Sequence, residues 1–421
     1  MYDVIVAGGG PVGSSAAKFC ADRGLKTLLI EEHAGFGRPV QCAGLLSNNA
    51  FAECRVSEDS VLNKVKGARI VSGLGNELSF NAGITKAYIV DRSLLDAEMG
   101  MNAATAGAEI RLKTAVTGFT PAASSDADGF CTVTTKGIDG VDNFKARIII
   151  AADGPRSIFS RFLNLKRPKI FISGIQADVA LKRDTDLVEL HPYASPDFFG
   201  WVIPISENLC RVGLCGEKDV PERFNRFFER VCRNSGADAD SCSDSYSDAD
   251  AVAKHRVSCT HLVTGTIPLG IMPKTYADRV LFCGDAGGFA KPTSGGGIYT
   301  GIRTAFHAAE TAANCLEKNG FRESDLKLYE KLWNKEIGKE LRFGLTVYNM
   351  RKRITDEQID RLCRDLDSEE IRKDIVEYGD MDRPYRIIRK LMLNPVILKD
   401  LGGIAGSELK SLITRSGSKR D

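Results

Sequence analysis

The residues with the clearest chemical content stand at the start of the chain. Gly8-Gly9-Gly10-Pro11-Val12-Gly13 directly follows the β-branched run 2–7, and Glu31 closes a second apolar run over 27–30. Between them lies a stretch rich in small residues that ends at Gly24. Glycine at position 8 permits a tight turn, at 10 a close approach of backbone to a pyrophosphate, and at 13 close packing of helix on strand. The helix start offers unpaired N–H groups and a positive dipole end to phosphate, and an acid in the position of Glu31 accepts hydrogen bonds from a ribose. The chemistry is dinucleotide binding, and this motif by itself leaves FAD and NAD both open.

Two further strand ends carry acids. Residues 147–154 form an apolar run ending in Asp153-Gly154, with Pro155-Arg156-Ser157 opening a helix to about 163. Residues 279–286 end in Gly284-Asp285, and Gly295-Gly296-Gly297 then precedes a long small-residue helix expected over roughly 297–317. A plain strand-to-helix cap is the simplest structural role for Asp153. With all three units in this order, the chain resembles the glutathione-reductase-type FAD fold in its aromatic-hydroxylase-like branch. The fold class expected is therefore mixed α/β: an FAD-binding Rossmann fold with an inserted antiparallel-sheet substrate domain and a helical C-terminal region. The resemblance implies that Asp285 contacts the ribityl chain of FAD, that Asp153 and Gly154 touch FAD, and that the helix opening after Gly295 and Gly297, at Ile298, aims its positive end at the flavin's N1–C2=O edge. No second complete GxGxxG unit exists for a nicotinamide donor.

Two local patterns narrow the resemblance. Arg38-Pro39-Val40-Gln41-Cys42-Ala43-Gly44 and the strand-to-helix segment Tyr88-Ile89-Val90-Asp91-Arg92 both resemble the geranylgeranyl reductase family, whose members include archaeal digeranylgeranylglycerophospholipid reductases. The likeness spans about residues 1–345. It implies that Arg38, Cys42, Ala43 and Gly44 lie beside the isoalloxazine, and that Arg92, Val12 and Val116 also serve FAD. A partial third match is Phe199-Gly200-Trp201-Val202-Ile203-Pro204, which lacks the family's Phe and Lys after Trp201. Phe199, Trp201 and Pro204 are the expected substrate residues, with Trp201 as an aromatic wall for an isoprenoid chain or as an ordinary core aromatic of a sheet.

The activity implied is reduction of isolated C=C bonds in geranylgeranyl chains by reduced FAD. Such a bond is not polarised by a carbonyl, so hydride delivery needs a proton at the other carbon. Cys42 is the candidate donor, since an ordinary thiol with a pKa of about 8.5 is mostly protonated at neutral pH; a packed residue touching the ring is its other reading. Alternatives on the same scaffold are an FAD-dependent monooxygenase or halogenase and an FAD electron-transfer adaptor to a quinone or membrane partner. Phe199 stands where halogenases sharing Trp-x-Ile-Pro carry a second tryptophan. The expected partners are an isoprenoid lipid and an electron donor, either a ferredoxin-like protein or NAD(P)H.

The rest of the chain sets the frame for these sites. It has 421 residues, enough for two or three domains. The expected division is an FAD domain over 1–164 and 266–320, a sheet domain over 165–265, and a helical region over 321–421. The 57 basic and 55 acidic residues leave a formal charge of +2, which argues against nucleic acid as a partner. Met1 runs straight into a strand and no apolar run reaches the roughly 18–20 residues of a membrane span, so a cytoplasmic protein is expected. The 12 cysteines then should be thiols, none spaced as Cys-x-x-Cys, and no metal site is expected. His33, His191, His255, His261 and His307 show no metal-ligand spacing. The Asp-rich segment 236–250 lacks the glycine and glutamate of a calcium loop and reads as a solvated loop. Residues 383–421 hold nine basic and three acidic residues. They suit either a helix lying on an anionic membrane, a peripheral contact, or a helix packed on its own domain with a wet basic face.

Overall fold

A computed structural model describes residues 1–122, 129–233 and 259–395. The chain divides into two compact units: residues 1–61, 90–172 and 266–347 form the first, and residues 62–89, 173–265 and 348–421 the second.

The first unit is built on an eight-stranded sheet. Its central path runs Tyr276–Ala277, Val280–Phe282, Gly140–Ala151, Tyr2–Ala7, Thr27–Ile30 and Glu109–Arg111. From Val280–Phe282 onward these neighbours are parallel, with Val4 opposite Ile148 and Thr27, and Ala7 opposite Ala151 and Ile30. The strands are almost wholly apolar because both faces are covered. Ile5, Leu28, Ile149 and Phe282 pack into one face cluster with Phe159, while Val4, Val6, Leu29 and Ile148 are equally buried. Up to Ala146, the first half of the long strand Gly140–Ala151 is the antiparallel partner of Cys131–Gly137, which pairs in turn with Ala115–Thr120.

The first helix, Pro11–Ala21, buries Gly13, Ser14, Ala16, Ala17 and Cys20. Its small face admits the long helix Ile298–Lys318, with Phe19 edge-on to Phe306 at 5.6 Å. Gly284 and Gly301 are pressed against Val12: a Cβ on either would sit 2.9 or 2.4 Å from its Cγ2. The helix Glu323–Trp333 is tied back to the sheet by Tyr329, whose hydroxyl donates to the Phe282 carbonyl at 2.6 Å, and by Trp333, whose indole N–H donates to Thr275 at 3.0 Å. A π-helical turn, Asn334–Gly338, follows and sets Glu336 against Arg303 at 2.7 Å and His307 at 2.6 Å.

The second unit is a seven-stranded sheet in the order Cys259–Leu269, Ile170–Ala180, Leu209–Gly216, Gly200–Ser206, Leu187–His191, Gly67–Val71, Glu77–Asn81. From Ile170–Ala180 onward its pairs are antiparallel except where Leu187–His191 runs parallel to Gly67–Val71. The hairpin expected around 206–208 joins Gly200–Ser206 to Leu209–Gly216. Helix Val220–Arg233 lays Phe224, Phe227 and Val231 on Val179, Val202, Val212 and Leu214. The short helices beyond Tyr348 belong to this unit: Ser72 donates to Asp360 at 2.5 Å, and Lys86 to the Val376 carbonyl at 3.0 Å.

These divisions run differently from the boundaries expected at 165, 265 and 320. Residues 67–81 form two strands of the second sheet, because Gly67–Val71 pairs with Leu187–His191, over 100 residues later, and Glu77–Asn81 pairs with Gly67–Val71. Residues 321–347 go with the first unit, through Tyr329 and Trp333, and only the helices after 347 go with the second. Helix Tyr385–Met392 buries Ile387, and Lys390 pairs with Asp374 at 2.5 Å, so this part of the basic segment packs on its own unit. The Asp-rich segment 236–250, His255 and residues 396–421 lie outside the described residues. Among the described residues no helix is long and apolar enough to cross a membrane, and no disulfide links two cysteines.

Candidate FAD site and substrate sheet

The first glycine turn has a separate physical reason at each position. Gly8 has φ +96°, and a Cβ there would lie 2.4 Å from the Ala152 carbonyl oxygen. Only glycine takes such a conformation without strain. A Cβ on Gly13 would fall 1.8 Å from the Gly8 oxygen, so the helix can lie this close to its strand only with no side chain there. Beside Gly10 no protein atom lies within 4 Å of a would-be Cβ. Gly10 is the helix N-cap, and no side chain caps it. Open space faces uncapped N–H groups, which is the form of a phosphate cradle.

Glu31 lies at the carboxyl end of the second strand, nearly buried. Its Oε2 accepts from Gly9 N at 2.5 Å, and its Oε1 meets His33 N at 2.9 Å and His33 Nδ1 at 2.6 Å. The acid thus braces the glycine turn and the following loop. Val116 stands two residues beyond Thr114, whose N–H bonds the Glu31 carbonyl at 2.9 Å, and packs at the edge of the sheet's core. Val12 packs its side chain on Gly284 and Gly301 while staying partly exposed, and its backbone stands at the helix start.

Asp153 does two things. Its Oδ2 accepts from Ile158 N at 2.8 Å, capping helix Ile158–Phe162, while its Oδ1 is buried with no partner among the described residues. Burial pushes its carboxyl up to about 6. Gly154 follows with φ +74°. Asp285 sits on the turn Gly284–Gly287; burial pushes its carboxyl up to about 6 as well, against the pull of Arg92.

Arg92 opens helix Arg92–Thr105 and grips Asp96 through two 2.9 Å hydrogen bonds. Burial works against its charge, but Asp96 more than offsets this, so its pKa lies above the ordinary value. The Cys42 thiol is within electrostatic reach of the same guanidinium. Cys42 is half-buried, and its Sγ accepts from Gly44 N at 3.4 Å. Ala43 is half-buried, Gly44 is buried with φ +69°, and Arg38 is exposed ahead of a cis peptide to Pro39. Arg92 therefore brings the Cys42 segment and Asp285 into one electrostatic neighbourhood.

The last glycine turn completes the site. Gly295 has φ +70°, and Gly297 is the N-cap of Ile298–Lys318, again without a side-chain cap. A Cβ on Gly297 would lie 3.1 Å from Asp285 Oδ1. Two uncapped helix starts, an orphaned buried carboxyl oxygen at Asp153 and glycines with open or acid-lined space fit FAD along one face of the sheet. Four residues that pattern-reading passed over also belong to this scaffold. They are Gly9, His33, Phe36, whose ring lies where a Cβ on Gly100 would be at 2.3 Å, and Lys291. Only the pairing of Glu31 with His33, two residues apart, had a local signal.

The residues expected from the sequence to meet substrate lie in the second unit. Trp201 pairs across the sheet with Gly213, and a Cβ on Gly213 would lie 2.6 Å from both the indole ring and Gln176 Cβ. The indole Nε1 is buried with no partner among the described residues. Phe199 stacks on Phe198 at 4.4 Å and stands edge-on to Trp201 at 6.3 Å. Pro204 is buried, its carbonyl accepting from Asn63 at 2.9 Å.

Comparison with known proteins bears on the family and the cofactor. A family described as FAD binding domain matches residues 1–331. The chain is 30% identical over 390 residues to digeranylgeranylglycerophospholipid reductase 2 of Methanothermobacter thermautotrophicus, covering 88% of this chain and 93% of that protein. A crystal structure of a geranylgeranyl bacteriochlorophyll reductase-like protein from Thermoplasma acidophilum is similar with a TM-score of 0.79 and 25% identity, over 96% of this chain and 99% of that one. A flavin-dependent brominase shares the fold, with a TM-score of 0.66 at 17% identity over 93% of this chain and 98% of that one.

Proposed function

The chain belongs to the geranylgeranyl reductase family of FAD-binding flavoproteins and is an FAD-dependent oxidoreductase, and we propose that it saturates C=C bonds of geranylgeranyl chains in archaeal-type membrane lipid precursors. The substrate is a digeranylgeranylglycerol phospholipid or geranylgeranyl diphosphate. The observation that supports this most is the neighbourhood of Arg92. Arg92 lies in one of the two segments that resemble a prenyl reductase and is within electrostatic reach of Cys42 in the other, and of Asp285 on the Gly-Asp turn.

Bound and reduced, FAD supplies hydride to one carbon of the double bond. The chain's own residues do the rest. The Gly8–Gly13 turn and the helix starts after Gly10 and Gly297 hold the dinucleotide through backbone N–H groups, with Asp153 and Asp285 accepting from its hydroxyls. Cys42 gives its S–H proton to the second alkene carbon; as that C–H bond forms the S–H bond breaks, and the thiolate regains a proton from water. Phe199, Trp201 and Pro204 provide an apolar wall that takes a prenyl chain out of water. Electrons come from a ferredoxin-like protein or NAD(P)H. The basic segment over 383–421 provides the peripheral contact with an anionic bilayer.

The test is mass spectrometry of a digeranylgeranyl phospholipid after anaerobic incubation with the dithionite-reduced holoenzyme. Gain of one H2 per double bond is expected. Gain of an oxygen atom would move the chain to the hydroxylases whose fold it shares, and an unchanged lipid would leave an electron-transfer adaptor. Cys42→Ala is expected to lower turnover by about a hundredfold or more with FAD content retained. Turnover equal to wild type would remove Cys42 from the proton transfer.

A further inference from the structure

Between Asp153 and Asp178 the chain holds five basic residues and no acidic one, although the charges of the whole chain nearly balance. In the first unit this stretch forms a strap along the candidate FAD site. At its start, Asp153 Oδ2 accepts from Ile158 N at 2.8 Å. At its end, Pro168 packs on Gly288, three residues beyond Asp285: a Cβ on that glycine would lie 2.7 Å from the proline Cγ. The strap thus runs from one acid-bearing turn of the site to the other.

Its apolar and charged residues are sorted inward and outward. Phe159 is fully buried, and Ile158, Leu163 and Leu165 pack on the same cluster of the sheet's core. Phe159 also stands edge-on to Phe119 at 5.4 Å. Arg167 folds back, its guanidinium donating to the Pro155 carbonyl at 2.5 Å and lying over the Phe171 ring. Arg156, Arg161, Lys166 and Lys169 are left exposed. Among the described residues no hydrogen bond or ion pair holds these four side chains, and the acid within electrostatic reach of Arg161 is the buried Asp153. Such a surface docks a partner by charge. A membrane-surface helix keeps an apolar face free for the acyl boundary. Here that face is packed on the core, and Phe162 is the one large apolar side chain of the strap left outside. A phosphate site gathers donors on one point, whereas these cations are exposed and spread along the strap.

The occupant that fits is a folded protein with a negative face, and the strap's place beside both acid turns gives that protein something to do. The sequence holds no second complete glycine unit for a nicotinamide donor. We propose that the strap over 156–169 is the docking surface for a small acidic electron-carrier protein that reduces the bound FAD. The proposal rests on the reductase reading, which needs a donor, and names the kind of donor. Two encounters each move one electron from the carrier's reduced metal centre to FAD, oxidising the carrier by one electron each time, and the protons come from water. Long-range attraction between exposed charges speeds such encounters, and a rim of solvated charges lets the complex part between them.

The experiment mixes the FAD-loaded full chain anaerobically with a reduced two-cluster iron–sulfur protein of strongly negative charge and follows bleaching of the flavin. No lipid is present, so failure here is distinct from failure to saturate a prenyl double bond, which dithionite-driven turnover reads. With Arg161→Glu and Lys166→Glu together, the second-order rate at low salt should fall about a hundredfold. Reduction by dithionite and FAD content should stay as in wild type, and binding of the oxidised carrier to the immobilised holoprotein should be lost. Lys327→Glu with Lys331→Glu makes the same charge change at exposed positions of helix Glu323–Trp333 and should slow the carrier by less than about threefold. Equal slowing by the two pairs would reduce the effect to net charge and overturn the proposal. A reversed strap that the carrier reduces at the wild-type rate overturns it too, as does a wild-type chain that NADPH reduces and the carrier does not. Lost binding to phosphatidylglycerol vesicles with the carrier's kinetics intact would assign the strap to a bilayer instead. If the double reversal does not retain FAD, Arg161→Gln with Lys166→Gln is read by the same criteria.

Discussion

The two glycine-rich turns of the first unit solve different problems. Gly8–Gly13 is made almost entirely of backbone: Gly8 and Gly13 are excluded from bearing side chains by carbonyl oxygens at 2.4 and 1.8 Å, and Gly10 faces open space. Its one acid, Glu31, faces inward to Gly9 N and His33. Gly295–Gly297 instead sits between two ionisable side chains, Lys291 and Asp285. A pyrophosphate keeps its charge throughout a catalytic cycle, so a backbone cradle suffices for it. The second turn carries groups whose own charge matters, the kind of surroundings that a ring gaining charge on reduction would call for.

Three substitutions sharpen or break that contrast, taken here from the largest effect down. Gly13→Ala puts a Cβ on the Gly8 oxygen and forces the first helix off its strand. We expect about 3 kcal/mol of lost stability in denaturant unfolding together with loss of FAD. A stable, yellow variant would mean that the close approach is dispensable.

Asp285→Asn tests the charged turn. The wild-type carboxyl has its pKa raised from 3.8 to about 6 by burial. Its contribution to stability is thus fully present below about pH 4 and is lost as pH rises through about 6. The asparagine apoprotein should match wild type near pH 4 and exceed it at pH 7 by on the order of 2 kcal/mol. A difference that stays flat across that window would show that the carboxyl is not desolvated. The smallest effect is expected at the backbone turn. Gly10→Ala meets no protein atom, so apoprotein stability should change by less than about 1 kcal/mol. FAD affinity should fall about tenfold, since the methyl occupies the approach to the phosphates. Unaltered affinity by fluorescence titration would show that the pyrophosphate does not pass Gly10.

Much of the first unit was legible because its signals are local. The run Tyr2–Ala7, the glycine spacing and the small-residue helix all lie within thirty residues, and the long helix begins at Ile298 where the glycine triplet ends. The hairpin at 206–208 was equally plain from its turn residues. What stayed hidden depends on distant partners. Strand Gly67–Val71 finds its register against Leu187–His191, with pairs such as Leu190 with Ile70, which no local pattern reports. The π-helical turn at Asn334–Gly338 carries Glu336 to Arg303 and His307, which lie 33 and 29 residues away in sequence. Lys291 looks in sequence like any solvated loop lysine, and only the folded turn shows its burial. Within the candidate site, Glu31 stands in the ribose position of its motif, yet two of its hydrogen bonds go to Gly9 and His33, a distribution that spacing does not encode.

Val12 was described as a packing residue between Gly284 and Gly301, and that contact has a consequence for affinity. The start of the first helix and the Gly-Asp turn meet on one valine side chain with no slack. The two ends of the cofactor pocket are therefore held at a set separation, like the two arms of a bivalent receptor. A ligand carrying both halves pays the loss of free tumbling once, and its second half then docks at a high effective concentration. Adenosine diphosphate or riboflavin alone forgoes that gain. Selection for a dinucleotide over either fragment thus resides in the distance between two turns, kept by a side chain that need not touch the ligand at all.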